Sequence, residues 1–254
     1  MRDRSGVLAK LRASAGFVRI VRNWPQHYLA THGRRGPARF TYRLRNGLEL
    51  EARPRTLDVA VLKDVFWHDV YSPPGFAIGE YETVLDVGAH VGAFAARAAR
   101  AARGVTVLAF EPSPENFALL SRNMARNGLA NVRLFPQAVS GGAGPRDLHL
   151  SSSPAGHSLH IVEPGGQHVS VPSLSLADVF EAQALETVGL LKMDCEGAEY
   201  EILEAAVPWP LDRVRRIAME AHALDGTRTR TVSWGSSKRM ASWFRPRSRA
   251  TGPP

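Results

Sequence analysis

Between residues 83 and 222, short apolar runs alternate with longer segments of helical period. TVLDVG, VTVLAFEP, NVRLFPQAVS, VGLLKMD and RRIAMEAH have the near-continuous apolar character of strands buried on both faces. FAARAARAAR, PENFALLSRNMARNG, LADVFEAQ and AEYEILEAA lie between them with helical spacing. Strands separated by helices predict right-handed crossovers and a mostly parallel sheet, an α/β fold. A Gly-, Ser- and Pro-rich excursion, 140–173, breaks the alternation and holds the candidate hairpin strands DLHL and HVSV. No internal repeat is visible.

Upstream, FTYRLRNGLELEA alternates around Asn46-Gly47, a strong short hairpin signal. After Pro54, TLDVAVLKDVFW has helical spacing, and Ser72-Pro73-Pro74-Gly75 breaks the chain. Residues 7–22 place Val7, Leu11, Val18 and Val21 on one helical face with most cations elsewhere, a basic amphipathic helix. Such a helix docks on the domain or touches a membrane surface. The expected organisation is therefore a basic N-terminal segment (1–39), a domain over 40–226 with a lead-in at 40–75 and a core at 76–226, and a basic, disordered tail at 227–254.

The net charge of +8 at pH 7 suggests a nucleic-acid partner only until it is divided along the chain. Residues 1–39 carry nine Lys/Arg against one acid, and 227–254 carry seven against none, whereas 40–226 has 16 basic and 23 acidic residues. An acidic body repels phosphate backbones, which argues against nucleic acid as substrate. The single cysteine, Cys195, excludes an intrachain disulfide and a cysteine-rich zinc site. Arg12, Arg19 and Arg22 interrupt the N-terminal apolar stretch, which argues against a secretory signal, and no apolar run is long enough to span a membrane. The expected location is cytoplasmic.

Ligands of an open parallel sheet sit at the carboxyl ends of its strands. The first such end reads Asp86-Val87-Gly88-Ala89-His90-Val91-Gly92, where Gly88 and Gly92 allow a tight turn and a close backbone approach. Glycine spacing alone is equally compatible with a plain strand–helix turn. The second strand ends in Phe110-Glu111-Pro112, with Glu111 25 positions after Asp86, where a carboxylate accepts both hydroxyls of a ribose. Together the two ends point to an adenosine-containing cofactor, S-adenosylmethionine or NAD. His90 and Ala93 break the G-x-G-x-x-G pattern, which favours S-adenosylmethionine, a cofactor without a pyrophosphate. A later strand ends at Asp194, followed by Glu196 and Glu199, and the next ends at Glu220 and His222 on the same rim. Acids crowded at a buried strand end call for a ligand, although Glu199 also suits the dipole of the helix it starts. Cys195, among acids, reads as a small buried residue. His157 and His160 lie in the excursion and read as surface loop, or as a cover for the acceptor.

At these residues the chain resembles the FkbM family of S-adenosylmethionine-dependent methyltransferases. The resemblance lies in DVGAHVG, AFEP, the helix with Asn123 and Asn127, QAVS, LLKMDCEGAE and IAMEAH, with weaker likeness in RNGLELEAR and DVFWHDVY. It covers roughly residues 40–222 and departs from the family at His90, where Asn is usual. It implies a Rossmann-like class I methyltransferase sheet and methyl transfer to a hydroxyl of a sugar or secondary metabolite. The DVGAHVG turn would hold the methionine moiety and Glu111 the ribose, with Asp86, Gly88, Gly92, Glu111, Pro112 and Ala138 as the cofactor set. Asp194, Glu196, Glu199 and Glu220 would line the acceptor side, and Asp194, Glu196, Glu220 and His222 form the expected catalytic set.

The base would be Asp194 or His222, or a divalent metal held by Asp194, Glu196 and Glu220 would lower the hydroxyl's pKa. Two rival readings stand beside this one: an NAD-dependent oxidoreductase, for which no hydride site is found, and a catalytically impaired or truncated protein of the same fold. The second arises from residues 223–254, which offer too few apolar positions for the usual C-terminal strand pair. Without that pair, Val214–His222 becomes a bare edge.

Overall fold

The structure, a computed structural model, describes residues 16–32, 36–151, 153–222 and 230–235. Residues 16–20 are helical, and 20–22 then run beside the first hairpin strand, with Val21 bridging to Leu44. Phe17 and Val21 are buried in the domain, so this end of the amphipathic segment docks on the body; residues 7–15, where a membrane contact was also expected, lie outside the described residues. Helix α1 (Trp24–His32) follows. The expected hairpin forms as β1 (Phe40–Arg43) and β2 (Glu49–Ala52), antiparallel, around a turn in which Gly47 has φ 86°. Helix α2 (Asp58–Lys63) continues into a π-helical turn, Asp64–His68.

The core follows the alternating pattern: β3 (Thr83–Val87), α3 (Ala93–Ala98), β4 (Thr106–Phe110), α4 (Pro114–Arg126) and β5 (Val132–Phe135). Ser113 caps α4 and Pro114 opens it, where its missing N–H does no harm. NVRLFPQAVS is not one strand. The chain leaves the main sheet at Pro136, and β6 (Ala138–Ser140) joins β7 (Gly144–Leu150) and β8 (Gln167–Ser175) in a separate three-stranded sheet, order β6-β8-β7. The DLHL and HVSV hairpin is there, with Leu148 opposite Val169. A Ser175–Asp178 capping box starts α5 (Leu176–Ala182), and β9 (Leu190–Met193), α6 (Glu199–Ala205) and β10 (Arg216–Ala221) follow.

The main sheet has the order β11-β10-β9-β3-β4-β5, with β11 (Arg230–Gly235) antiparallel to β10 and the remaining neighbours parallel. Successive strand residues feed opposite cores: Val84, Val107, Leu190 and Ala218 one face, Leu85, Leu108, Leu191 and Ile217 the other. The expectation of a bare edge is corrected by β11, whose Trp234 and Val232 stand opposite Ile217 and Met219. Pairing satisfies the backbone groups that the basic composition of 227–254 had suggested would stay exposed. One antiparallel strand, not a pair, is seen there; 223–229 and 236–254 lie outside the described residues. Among the described residues no helix is long and apolar enough to cross a membrane.

Candidate active site

Because β3 leads on to β4 on one side and β9 leads on to β10 on the other, the connections diverge between β3 and β9 and open a crevice at the carboxyl ends. A cavity of about 790 Å³, counting its open mouth, lies there. The β3 and β4 ends line it with Gly88, Ala89, His90, Glu111 and Pro112; Asn116 and Ala138 follow, and the β9 end adds Asp194, Cys195 and Glu196. Gly88 has φ 74°, and a Cβ there would stand 1.9 Å from the Asp194 carbonyl oxygen, so the two strand ends meet only through glycine.

The Glu111 carboxylate is buried and fixed at its root: Oε2 accepts the His90 N–H at 2.7 Å and Oε1 the Ser113 N–H at 2.9 Å. Burial raises its pKa, opposed by the His90 charge and these N–H donors. Each oxygen keeps a lone pair for a further donor, which is what a ribose diol requires. Gly88, Pro112 and Ala138, also named from the sequence, line the same cavity.

Asp86 and Gly92 do not. Asp86 is fully buried behind the turn, its Oδ1 3.0 Å from Lys192 Nζ. Gly92 starts α3 with φ 86°, and a Cβ there would strike Leu120 and Met124 of α4 at 2.6 and 2.8 Å. Both positions shape the turn from behind: one neutralises charge and the other lets two helices approach.

Lys192, unassigned from sequence, is the centre of that charge balance. It stands opposite Asp86 across the β3–β9 ladder, donates to the Gly88 carbonyl at 2.7 Å, and lies 5.3 Å from the Tyr71 ring centre. Burial works against its charge, but Asp86 and Asp194 outweigh burial and raise its pKa. Tyr71, also unassigned, donates its hydroxyl to Asp194 Oδ2 at 2.8 Å. A lone lysine in an otherwise apolar strand, LLKM, was the available signal for a buried partner. Nothing local marked Tyr71, 123 residues from its acceptor.

Beside the cavity, Glu196 (φ 53°), His222 and Glu199 form a chain. His222 Nε2 is 3.4 Å from Glu196 Oε2, and Nδ1 is 3.0 Å from Glu199 Oε1. Glu199 is fully buried and also accepts the Cys195 and Gly197 N–H groups at 3.0 Å each. Burial disfavours the His222 cation, yet the two carboxylates reverse that and lift its pKa to about 9. Burial raises Glu196 to about 7, the His222 charge opposing and Asp194, Glu199 and Glu220 adding to it. Burial, then Glu199 and Asp194, hold Cys195 as a thiol. His222 and Glu220 sit beside the cavity rather than on its wall.

The expected metal set is also altered. Among the described residues, the converging ligand atoms belong to Asp194, Glu220 and His222, within 4.8 Å of one another, and Glu196 is not among them. A divalent ion there would have to displace the proton from His222, whose Nδ1 is oriented by Glu199.

The excursion covers the cavity. Pro154, Ala155, His157 and Leu159 form its outer wall, tied down by Asn116 Nδ2 to the Pro154 carbonyl at 2.9 Å and by Ser158 Oγ to the Glu196 carbonyl. His160 pairs instead with Glu201, 3.1 Å away. At the other end, Arg53 is bidentate on buried Asp58, which also holds His90 Nε2 at 3.2 Å. His90, the departure from the family, is thereby built into the cavity wall.

A family model described as "Methyltransferase FkbM domain" matches residues 86–246. The 31-O-demethyl-FK506 methyltransferase FkbM of Streptomyces tacrolimicus is 30% identical over 196 residues, 65% of this chain and 74% of that protein. Methyltransferase sdnD of Sordaria araneosa is 27% identical over 199 residues, 66% of this chain and 76% of that protein. The hexuronic acid methyltransferase AglP of Haloferax volcanii is 28% identical over 145 residues, 57% of each.

Proposed function

The chain belongs to the FkbM methyltransferase family, whose members depend on S-adenosylmethionine, and we propose that its acceptor is a hydroxyl of a small sugar-containing molecule or secondary metabolite. The observation that carries this reading is one cavity lined both by a ribose-type carboxylate, Glu111, and by two further carboxylates, Asp194 and Glu196. The relative named as a 31-O-demethyl-FK506 methyltransferase supports the secondary-metabolite reading.

Glu111 would accept the ribose hydroxyls, and the turn at Gly88 would let the backbone approach the methionine portion. When bound, S-adenosylmethionine would supply an electrophilic methyl on a sulfonium, with a neutral thioether as the leaving group. The protein aligns the acceptor oxygen and removes its proton. Glu196 takes that proton: it reaches the cavity, and a carboxyl titrating near 7 is a stronger base than an ordinary one. The His222 cation steadies the Glu196 anion, and Glu199 orients His222. Asp194, held by the Tyr71 hydroxyl, orients the acceptor. Proton removal needs no metal in this scheme, so transfer persists in EDTA.

Calorimetric titration with S-adenosylhomocysteine tests the cofactor half. Glu111→Ala should weaken binding by ~1.5–3 kcal/mol, as for a hydrogen bond to a charged group, and unchanged affinity removes the ribose assignment. Asp194→Asn should reduce turnover far more than cofactor affinity; loss of cofactor binding with the fold intact would move Asp194 to the cofactor side.

A further inference from the structure

The charges facing the cavity are strongly one-sided. Glu111, Asp194 and Glu196 present carboxylates to it, and the cation on its wall, Lys192, is committed to Asp86 and the Gly88 carbonyl. Arg53 is nearby but spends its guanidinium on Asp58, Asn116 and Glu115. His90 is held by Asp58. His157 on the outer wall accepts the Ser151 N–H at Nδ1, 3.0 Å, which fixes a neutral ring; burial and the charges of Arg53 and His90 depress its pKa further. Beside the cavity the His222 cation is already shared by Glu196 and Glu199, and His90 Nδ1 and Arg53 Nη1, which have no hydrogen-bond partner, are shut off from solvent. The same cavity also has apolar lining: Val61, Val65, the Tyr71 ring, Ala155 and Leu159. Ile161 and Val162, both exposed, continue the same strap, and the Ile161 N–H anchors to Ser158 Oγ at 2.9 Å.

We propose that this site selects an electrically neutral acceptor, a hydroxyl carried on an apolar body, and rejects anionic sugars such as uronic acids. The inference rests on the methyltransferase reading above and narrows it. An acceptor carboxylate would lie beside Asp194 and Glu196 in a partly desolvated cleft, where like charges repel and the nearest cation, His222, is already shared by Glu196 and Glu199. A neutral hydroxyl loses nothing there, because Glu196 and Asp194 accept its proton donor, and the apolar flanks bury the carbon framework around it. The outer wall is tied at both ends, by Asn116 and by Ser158, so the discrimination is built in before the acceptor arrives.

The test uses the full chain loaded with S-adenosylhomocysteine and two matched probes, hexyl β-glucoside and hexyl β-glucuronide, titrated calorimetrically. The glucoside is expected to bind at least about tenfold more tightly than the glucuronide. Glu196→Gln or Asp194→Asn should shrink that gap by about threefold or more, chiefly by improving glucuronide binding. Equal or tighter binding of the glucuronide overturns the proposal. So does a gap that neither variant changes, because its cause would not be the carboxylates. Failure of both probes to bind into the millimolar range also overturns it, by denying the apolar flanks their role. Failure of S-adenosylhomocysteine itself to bind is a different result: it removes the methyltransferase reading, and the acceptor inference falls with its premise.

Discussion

At the scale of single residues, the site is governed by how buried charges are compensated. Lys192 lies between Asp86 and the Asp194 end of its own strand, so a pair of acids and a cation replace the water that the fold removes. Glu196 and His222 divide their charge differently. His222 stays protonated to about 9 because two carboxylates face it, and Glu196 gains its proton near 7 because burial and Asp194 outweigh the His222 cation. The sign of a mutation follows: His222→Gln removes a positive charge that lowers the Glu196 pKa, so Glu196 should titrate above 7 in that variant. Carboxyl carbon NMR of glutamate-labelled protein reads this without an acceptor, and an unmoved titration would show that the two side chains are not coupled. The same displacement should appear in the pH–rate profile, whose rising limb belongs to the base.

At the scale of elements, two asparagines, Asn123 in α4 and Asn127 at its C-cap, act as a substitute strand for the hairpin. Asn123 Oδ1 accepts the Glu51 N–H at 2.7 Å and its Nδ2 donates to the Glu51 carbonyl at 2.9 Å; Asn127 does the same for Glu49 at 2.8 and 2.7 Å. The fit has a geometric cause. Four helical residues advance about 6 Å and two strand residues about 6.6 Å, so amides at i and i+4 meet alternate residues of β2. Asn123 Nδ2 also reaches the Val91 carbonyl at 2.7 Å, which ties the hairpin to the cofactor turn. Asn123→Ala would leave several buried backbone groups unpaired, and a loss of about 2–4 kcal/mol is expected in urea unfolding. A loss under about 1 kcal/mol would mean that water replaces the side chain. Asn127→Ala, nearer the surface, should cost less.

For the whole molecule, the decisive element is the sixth strand. β10 carries Ile217 and Met219, both buried, and without β11 its backbone would offer an open edge. That bare edge was the ground for expecting an impaired protein, and the pairing of Arg230–Gly235 removes it. Proline scanning gives an internally controlled test, because successive N–H groups of an edge strand point alternately to the sheet and to solvent. Of Thr231→Pro and Val232→Pro, one should remove a ladder bond and promote aggregation on heating, and the other should be tolerated far better. Light scattering during thermal unfolding distinguishes them; equal, mild effects at both positions would mean that the strand contributes little to the edge.

Much of this was legible in the chain itself. Near-continuous apolar runs fix which segments are strands, because a residue's face is set by the backbone's period of two and requires no knowledge of the partner. For the same reason Gly88, Glu111, Pro112 and Asp194 could be placed at strand ends facing a common rim. Neighbour choice could not be read this way. That β9 pairs with β3 decides that Lys192 meets Asp86, 106 positions away, and so withdraws Asp86 from the cofactor site. That α3 crosses α4 at Gly92 turns a supposed cofactor glycine into a packing contact. The folding of the excursion over the cavity decides between surface loop and cover: it brings His157 into the wall and leaves His160 outside the lining. In β11 the local signal was present, Thr231, Val232 and Trp234 in alternation, but it stood inside a strongly basic tail and composition outweighed it. Local pattern determines what each segment can become; the tertiary fold decides which buried charge, edge or glycine has a neighbour, because those energies exist only between segments distant in sequence.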